Sequence, residues 1–299
     1  MKKKRSGWVG IAVVLGKIGP KLAKLVKGGL FVGSAASYTV IFGWKVAVMI
    51  LVLLLLHEGG HLWAMKKRGM KTKGMYFIPF LGAAAVADEE FPSREAENFV
   101  ALMGPTVGLI LSILSYLVFV ITNDLEFVAA AGWMAMINLI NLLPIMPLDG
   151  GRVLRSISFS FGSWRGLILI GIGMIAGAAI LMKMGFWLFV ILIPFGIIEV
   201  VFDFKKERKN PEKLVKAQST LENFREYIRN GSDGTASYFQ SRVEELEEGI
   251  KRLSARPNMS AAQLKRGIVW ALVLAVSLFL VIHYASVITG DESFIDILR

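Results

Sequence analysis

The 299 residues contain no cysteine, which excludes disulfides and thiolate metal sites, and only three histidines. A metal bound by side chains must therefore rely on imidazole and carboxylate groups. Charge is scarce as well. Only 19% of the residues are charged and 55% are hydrophobic, with a mean hydropathy of +0.58, whereas about 45–50% apolar content is usual in a soluble domain. Several windows reach the ~18–20 apolar residues that cross roughly 30 Å of hydrocarbon as a helix. The composition is that of an integral, multi-pass membrane protein.

Acidic residues are outnumbered, 23 against 34 basic, for a formal net charge of +11. Such a balance can signal nucleic acid, but here the basic residues flank the apolar runs, at residues 2–5, 66–73 and 205–209. That placement is cytoplasmic anchoring against anionic lipid, so the bilayer is the expected partner and nucleic acid is not. The apolar stretch after the first basic cluster has no small-residue cleavage site behind it, which argues against a signal peptide. Lys17, Lys21, Lys24 and Lys27, interleaved with Leu22, Leu25 and Val26, predict an interfacial amphipathic helix within a basic N-terminal segment, residues 1–28.

Apolar windows predict seven spans, at about 29–43, 45–65, 98–121, 127–147, 166–182, 186–202 and 267–287. The fifth and sixth are split at residues 183–185 because about 37 residues in one helix would overshoot a bilayer. With the N-terminus in the cytoplasm, the basic clusters at 66–73, at Arg152 and Arg155 and at 205–266 all fall on the cytoplasmic side. Outside lie Asn123, Asp124, Glu126, Lys183 and the C-terminal tail. Residues 203–265 form the one sizeable polar segment and read as a helical hairpin. Asn210-Pro211 looks like a cap and first helical residue, and Val243, Leu246, Ile250 and Leu253 form a second stripe. A solvated linker is the alternative there. Residues 266–299 supply one more span and the tail.

Two of the three histidines occur in HEGGH, residues 57–61, at the C-terminal end of the apolar run 46–56. On a helix, positions four apart share a face, so His57 and His61 aim at one point with Glu58 beside them. Two imidazoles can hold Zn²⁺ while the carboxylate works on its water. A catalytic zinc takes three protein ligands as a rule, so a third is needed. His283 sits near the outer end of the last span, about 30 Å of bilayer away, and is read as an interfacial residue. Asp149, in NLLPIMPLDGGR (residues 141–152), emerges just past the cytoplasmic end of the fourth span, on the same side and at similar depth as HEGGH. Pro144 and Pro147 stop a regular helix, and Gly150-Gly151 is expected to let the backbone turn. Such irregular backbone at membrane depth lines a watery cavity.

HEGGH on one span, Gly104-Pro105 in MGPTVG on the next and NLLPIMPLDGG on the one after closely resemble the site-2 proteases, the intramembrane zinc metalloproteases of the peptidase M50 type. The resemblance covers about residues 45–200. It implies a six-helix core within residues 29–202, one Zn²⁺ per chain held by His57, His61 and Asp149, Glu58 as general base, and Asn141 contacting substrate. It also implies that residues 74–87, apolar but too short to span, form a re-entrant hairpin, for which a plain interfacial loop is the alternative. The polar segment shows no strand pattern for the PDZ or paired CBS modules found in that family. The resulting expectation is an all-α polytopic membrane protein with a small β-hairpin and a cytoplasmic helical hairpin. It would cut single-span membrane proteins near the cytoplasmic face of a bacterial cell membrane, with residues 203–265 available to a regulatory partner. A non-proteolytic adaptor or pseudoprotease and a metal transporter are the competing classes.

Overall fold

In a computed structural model, residues 28–78, 82–183, 185, 193–229, 236–253, 258–290 and 293–298 are described. The amphipathic helix expected before residue 28, most of the first half of the sixth span and residues 230–235 within the polar segment lie outside them. Among the described residues, four helices are long and apolar enough to cross a membrane: Trp44–Lys67, Arg94–Thr122, Ser163–Lys183 and Ala261–Thr289. Gly28–Phe42 and Leu125–Asn141 are shorter apolar helices. The chain divides into two compact units, one of residues 1–88, 106–137 and 277–299, the other of 89–105 and 138–276.

In the first unit, helix α1 (Gly28–Phe42) ends at Gly43, whose φ of 87° breaks the helix before α2 (Trp44–Lys67) begins. Helix α2 buries Val46, Ile50, Leu53, Leu54, His57 and His61 while Val48, Val52, Leu55 and Trp63 stay exposed. Its last turn carries Lys66 and Lys67, which suit the negative end of the helix dipole, and Gly69 at φ 72° lets the chain leave. Trp44 and Trp63, both exposed, stand about 28 Å apart at 1.5 Å per residue, matching the depth of a hydrocarbon core. Strands β1 (Thr72–Ile78) and β2 (Gly82–Ala87) pair antiparallel with Phe77 opposite Ala83 and a register shift between Thr72 and Gly74. The expected hairpin is therefore present. Tyr, Phe and Ile favour β1, whereas Ala-rich β2 has little strand preference of its own and is held by pairing and by its packing on α2.

Helix α3 (Arg94–Thr122) crosses from one unit into the other and keeps Pro105 in its interior, with Gly104 and Pro105 both buried. Helix α4 (Leu125–Asn141) follows. A short helix, Phe294–Leu298, belongs to the same unit. Leu298 is buried among Tyr38, Val46, Ala47, Ile50, Leu54, Phe77 and Ala129. The Phe294 ring fills the notch left by Gly132, where a Cβ would come within 2.5 Å of it.

In the second unit, α5 (Asp149–Phe159) packs on α6 (Ser163–Lys183), and Met146, Phe159, Ile170, Met174 and Val200 form a core. Helix α7 (Ile193–Arg229) runs without interruption from apolar into polar sequence. The expected helix start at Asn210-Pro211 is thus corrected. An interior proline costs about 3 kcal/mol, and the helix-forming sequence on both sides outweighs one missing hydrogen bond. Helix α8 (Ala236–Leu253) packs back on α7, with Val243, Leu246 and Ile250 half-buried and Arg225 paired to Glu247 at 2.7 Å. A helical hairpin, rather than a linker, occupies the polar segment. Helix α9 (Ala261–Thr289) starts with a reciprocal cap, Ser260 N–H to Gln263 Oε1 at 2.8 Å and Gln263 N–H to Ser260 Oγ at 3.3 Å.

Candidate active site

One turn of α2 separates His57 from His61, and their Nε2 atoms lie 3.2 Å apart with the rings inclined at 76°. Two imidazole nitrogens bound to one tetrahedral zinc at about 2.0–2.1 Å would stand about 3.3 Å apart, so the pair fits that ion without rearrangement. Asp149, the third ligand that the resemblance implies, belongs to the other unit. All three are buried, at 2%, 2% and 7% exposure. Burying a carboxylate is costly unless a cation or donors compensate it, and a divalent ion here would do so. This donor set, two imidazoles and a carboxylate, suits catalytic zinc.

Glu58 is buried beside them, and its Oε2 accepts the Ala85 N–H at 2.6 Å. A hydrogen bond this short to a carboxylate is charge-assisted. It comes from β2, so the hairpin fixes the carboxylate that follows His57. An N–H turned towards Glu58 does not serve the ladder to β1, which places the outer edge of β2 on the Glu58 side.

Asp149 opens α5, after Leu148 in extended conformation, where a carboxylate is favoured by the helix dipole. Gly150 and Gly151 were expected to bend the chain. Both are instead helical, and their role is close approach: a Cβ on Gly150 would sit 2.0 Å from the Leu142 carbonyl oxygen, and one on Gly151 2.5 Å from the Ile145 carbonyl carbon. The residues before Asp149 lie flat against the first turn that carries it. Asn141 is the last residue of α4 and half-buried. His283 is exposed and stacked on Phe279, with ring centroids 6.4 Å apart.

Sequence reasoning missed a second polar centre. Arg155, counted there as a surface charge, is 8% exposed. Its Nε donates to Glu97 Oε1 at 2.8 Å, its Nη2 donates to the same oxygen, and its Nη1 donates to Glu199 Oε1 at 2.9 Å and Asp203 Oδ2 at 2.5 Å. Burial alone would lower the arginine's pKa, but Glu97, then Asp203 and Glu199, raise it further than burial lowers it, so the guanidinium stays charged. The available signal was three acids and one arginine at the edges of apolar runs, too diffuse to pair without the fold.

Parts of this chain are similar to known proteins. Residues 45–128 match the model of peptidase family M50. A zinc metalloprotease of Methanocaldococcus jannaschii is 29% identical over 137 residues, 43% of this chain and 38% of the relative. Stage IV sporulation protein FB of Bacillus subtilis is 27% identical over 112 residues, 37% of this chain and 39% of that protein. The chain thus spans about two fifths of these relatives' length. Among solved structures, a site-2 protease from Methanocaldococcus jannaschii aligns with a TM-score of 0.41 and 26% identity, over 60% of this chain and 86% of that one. Asp149 lies beyond the residues matched by the family model. The helix bearing His57, Glu58 and His61, with the hairpin and helix that follow it, is thus the part of this chain that is similar to peptidase family M50.

Proposed function

We propose that this chain is an intramembrane zinc metalloendopeptidase that hydrolyses peptide bonds in or beside the transmembrane segments of membrane-anchored, single-span proteins. The observation that carries this reading is the pair His57 and His61 on one face of α2, their Nε2 atoms 3.2 Å apart, next to a Glu58 held by the hairpin. In it, His57, His61 and Asp149 hold one zinc. Zinc there supplies Lewis acidity, a more acidic water and a polarised scissile carbonyl. Glu58 takes the proton of the attacking water and passes it to the leaving amine. The Ala85 N–H keeps that carboxylate oriented for both transfers.

A substrate amide inside a helix is shielded by its own hydrogen bonds, so the substrate unwinds before it is cut. The outer edge of β2 offers a strand for the unwound segment to pair with, and Asn141 is the residue we assign to substrate contact. Seven spans, an N-terminus in the cytoplasm and a site near the cytoplasmic face of a bacterial membrane agree with the basic clusters. The hairpin of α7 and α8 is the surface for a regulatory partner. Transport is less well supported, since an ion path needs successive ligand groups and the described residues contain one.

The test is Glu58→Gln in full-length protein reconstituted with a single-span substrate. Removing a general base costs about 10²–10⁴-fold in rate, so cleavage should fall by at least that lower figure while bound zinc is kept. Cleavage at the wild-type rate would sink the proposal.

A further inference from the structure

Helix α5 has eleven residues, and other parts of the second unit hold it at its first turn, its middle and its end. Its first turn lies against residues 142–146 through Gly150 and Gly151. Its middle is gripped by the four-charge centre, in which Arg155 receives Glu97 from α3 and Glu199 and Asp203 from α7. Its end accepts the returning chain, with the Met259 N–H donating to Ser160 Oγ at 3.2 Å, while Arg94 Nε reaches Asn258 Oδ1 at 3.2 Å. Asn98 adds a fourth tie, Nδ2 to Ser156 Oγ at 3.0 Å.

The grip from α7 is double. Gly196, Glu199, Val200 and Asp203 follow helical spacing i, i+3, i+4 and i+7 and so share one face of that helix. Gly196 lies directly against the Met146 carbonyl, where a Cβ would come within 2.3 Å of the oxygen. Val200 is buried in the core that contains Met146. One face of α7 therefore touches both the backbone that precedes Asp149 and the arginine that follows it on α5. A helix that contacts a ligand's element on both sides along the sequence determines where its first residue stands. Arg155 carries one positive charge against three carboxylates, and Glu199 and Asp203 are the more exposed of these, at 38% and 25%. The ties from α7 are accordingly the adjustable ones, and α7 continues without a break into the polar hairpin.

We infer that Arg155 is a positioning residue for the metal ligand Asp149, and that α7 sets this position through Glu199 and Asp203. The inference rests on the reading of Asp149 as a ligand, which an Asp149→Asn control tests separately. It goes beyond that reading by giving the polar hairpin a physical route to the metal: whatever shifts α7 shifts Asp149.

The experiment uses the full chain in detergent, with zinc affinity measured by chelator competition and the thermal midpoint of the metal-free protein measured alongside. Loss of an orienting partner of a metal ligand typically weakens binding by about 10- to 100-fold. Glu199→Gln with Asp203→Asn should weaken zinc within that range, while Arg155→Lys, which keeps the charge but loses the fork, should fall between this variant and wild type. The metal-free midpoint should drop far less than the affinity does, which a purely structural role would not produce. Should the double variant fail to fold, each single substitution is read the same way. Wild-type zinc affinity in the folded acid variants, with Asp149→Asn weakened, overturns the positioning role alone. Wild-type affinity in Asp149→Asn removes the ligand reading and this inference together.

Discussion

Gly59 and Gly151 show how differently two glycines in functional motifs can act. Gly59 stands between Glu58 and His61 with no described atom within 4 Å of where a Cβ would be, whereas a Cβ on Gly151 would strike the Ile145 backbone at 2.5 Å. Packing among the described residues therefore does not require glycine at 59, and the open space there is consistent with close approach by substrate. Gly59→Ala should leave stability unchanged or raise it by up to about 1 kcal/mol, the helix-interior penalty of glycine. Gly151→Ala should lower it by about 1–3 kcal/mol, the usual effect of overpacking, and should weaken zinc binding, since the clash displaces Asp149. Denaturant titration of the two purified variants checks the first pair of values and chelator competition the second. The spacing of His57, Glu58 and His61 was legible in the sequence because it is decided within one turn. The identity of Gly150 and Gly151 as contact residues was not, because their partners are residues 142–146, and only the path of the chain brings those alongside.

At the scale of elements, the hairpin is the part whose detail matters most. Its existence could be anticipated from β-formers in a short apolar stretch, but the N–H of Ala85 on Glu58 could not, because β2 is mostly alanine and advertises nothing. Ala85→Pro removes that one donor without breaking the ladder to β1. The expected result is at least a 10-fold fall in kcat with zinc retained, against near wild-type behaviour for Ala85→Gly, measured with reconstituted protein. Helix α7 teaches the opposite lesson. Proline and a preceding asparagine predicted a new helix at residue 210, and the chain instead carries one helix from Ile193 to Arg229. Local capping signals are worth about 1 kcal/mol each, too little to end a helix that is favoured on both sides.

For the whole molecule, hydropathy and charge are the governing quantities, and both are sums over sequence that need no fold. The absence of cysteine makes the proposed orientation directly testable, since any introduced thiol is unique. Lys71→Cys, between α2 and β1, should react with an impermeant maleimide only from the cytoplasmic side of sealed vesicles. Leu125→Cys, exposed at the start of α4, should react only from the other side. Labelling of each from the opposite side would reverse the topology, and labelling of both from one side would discard it.

By itself the sequence determined which chemistry was available and in what solvent: no thiolate, three histidines, two of them on one helical face, in a chain too apolar for water. These follow from composition and from a period of 3.6 residues, which act over short distances along the chain. Only the tertiary structure decided that Ala85 holds Glu58 and that Arg155 is buried among Glu97, Glu199 and Asp203. Each of those contacts joins residues from different elements. Their free energy depends on burial and on exact approach, neither of which a linear pattern encodes.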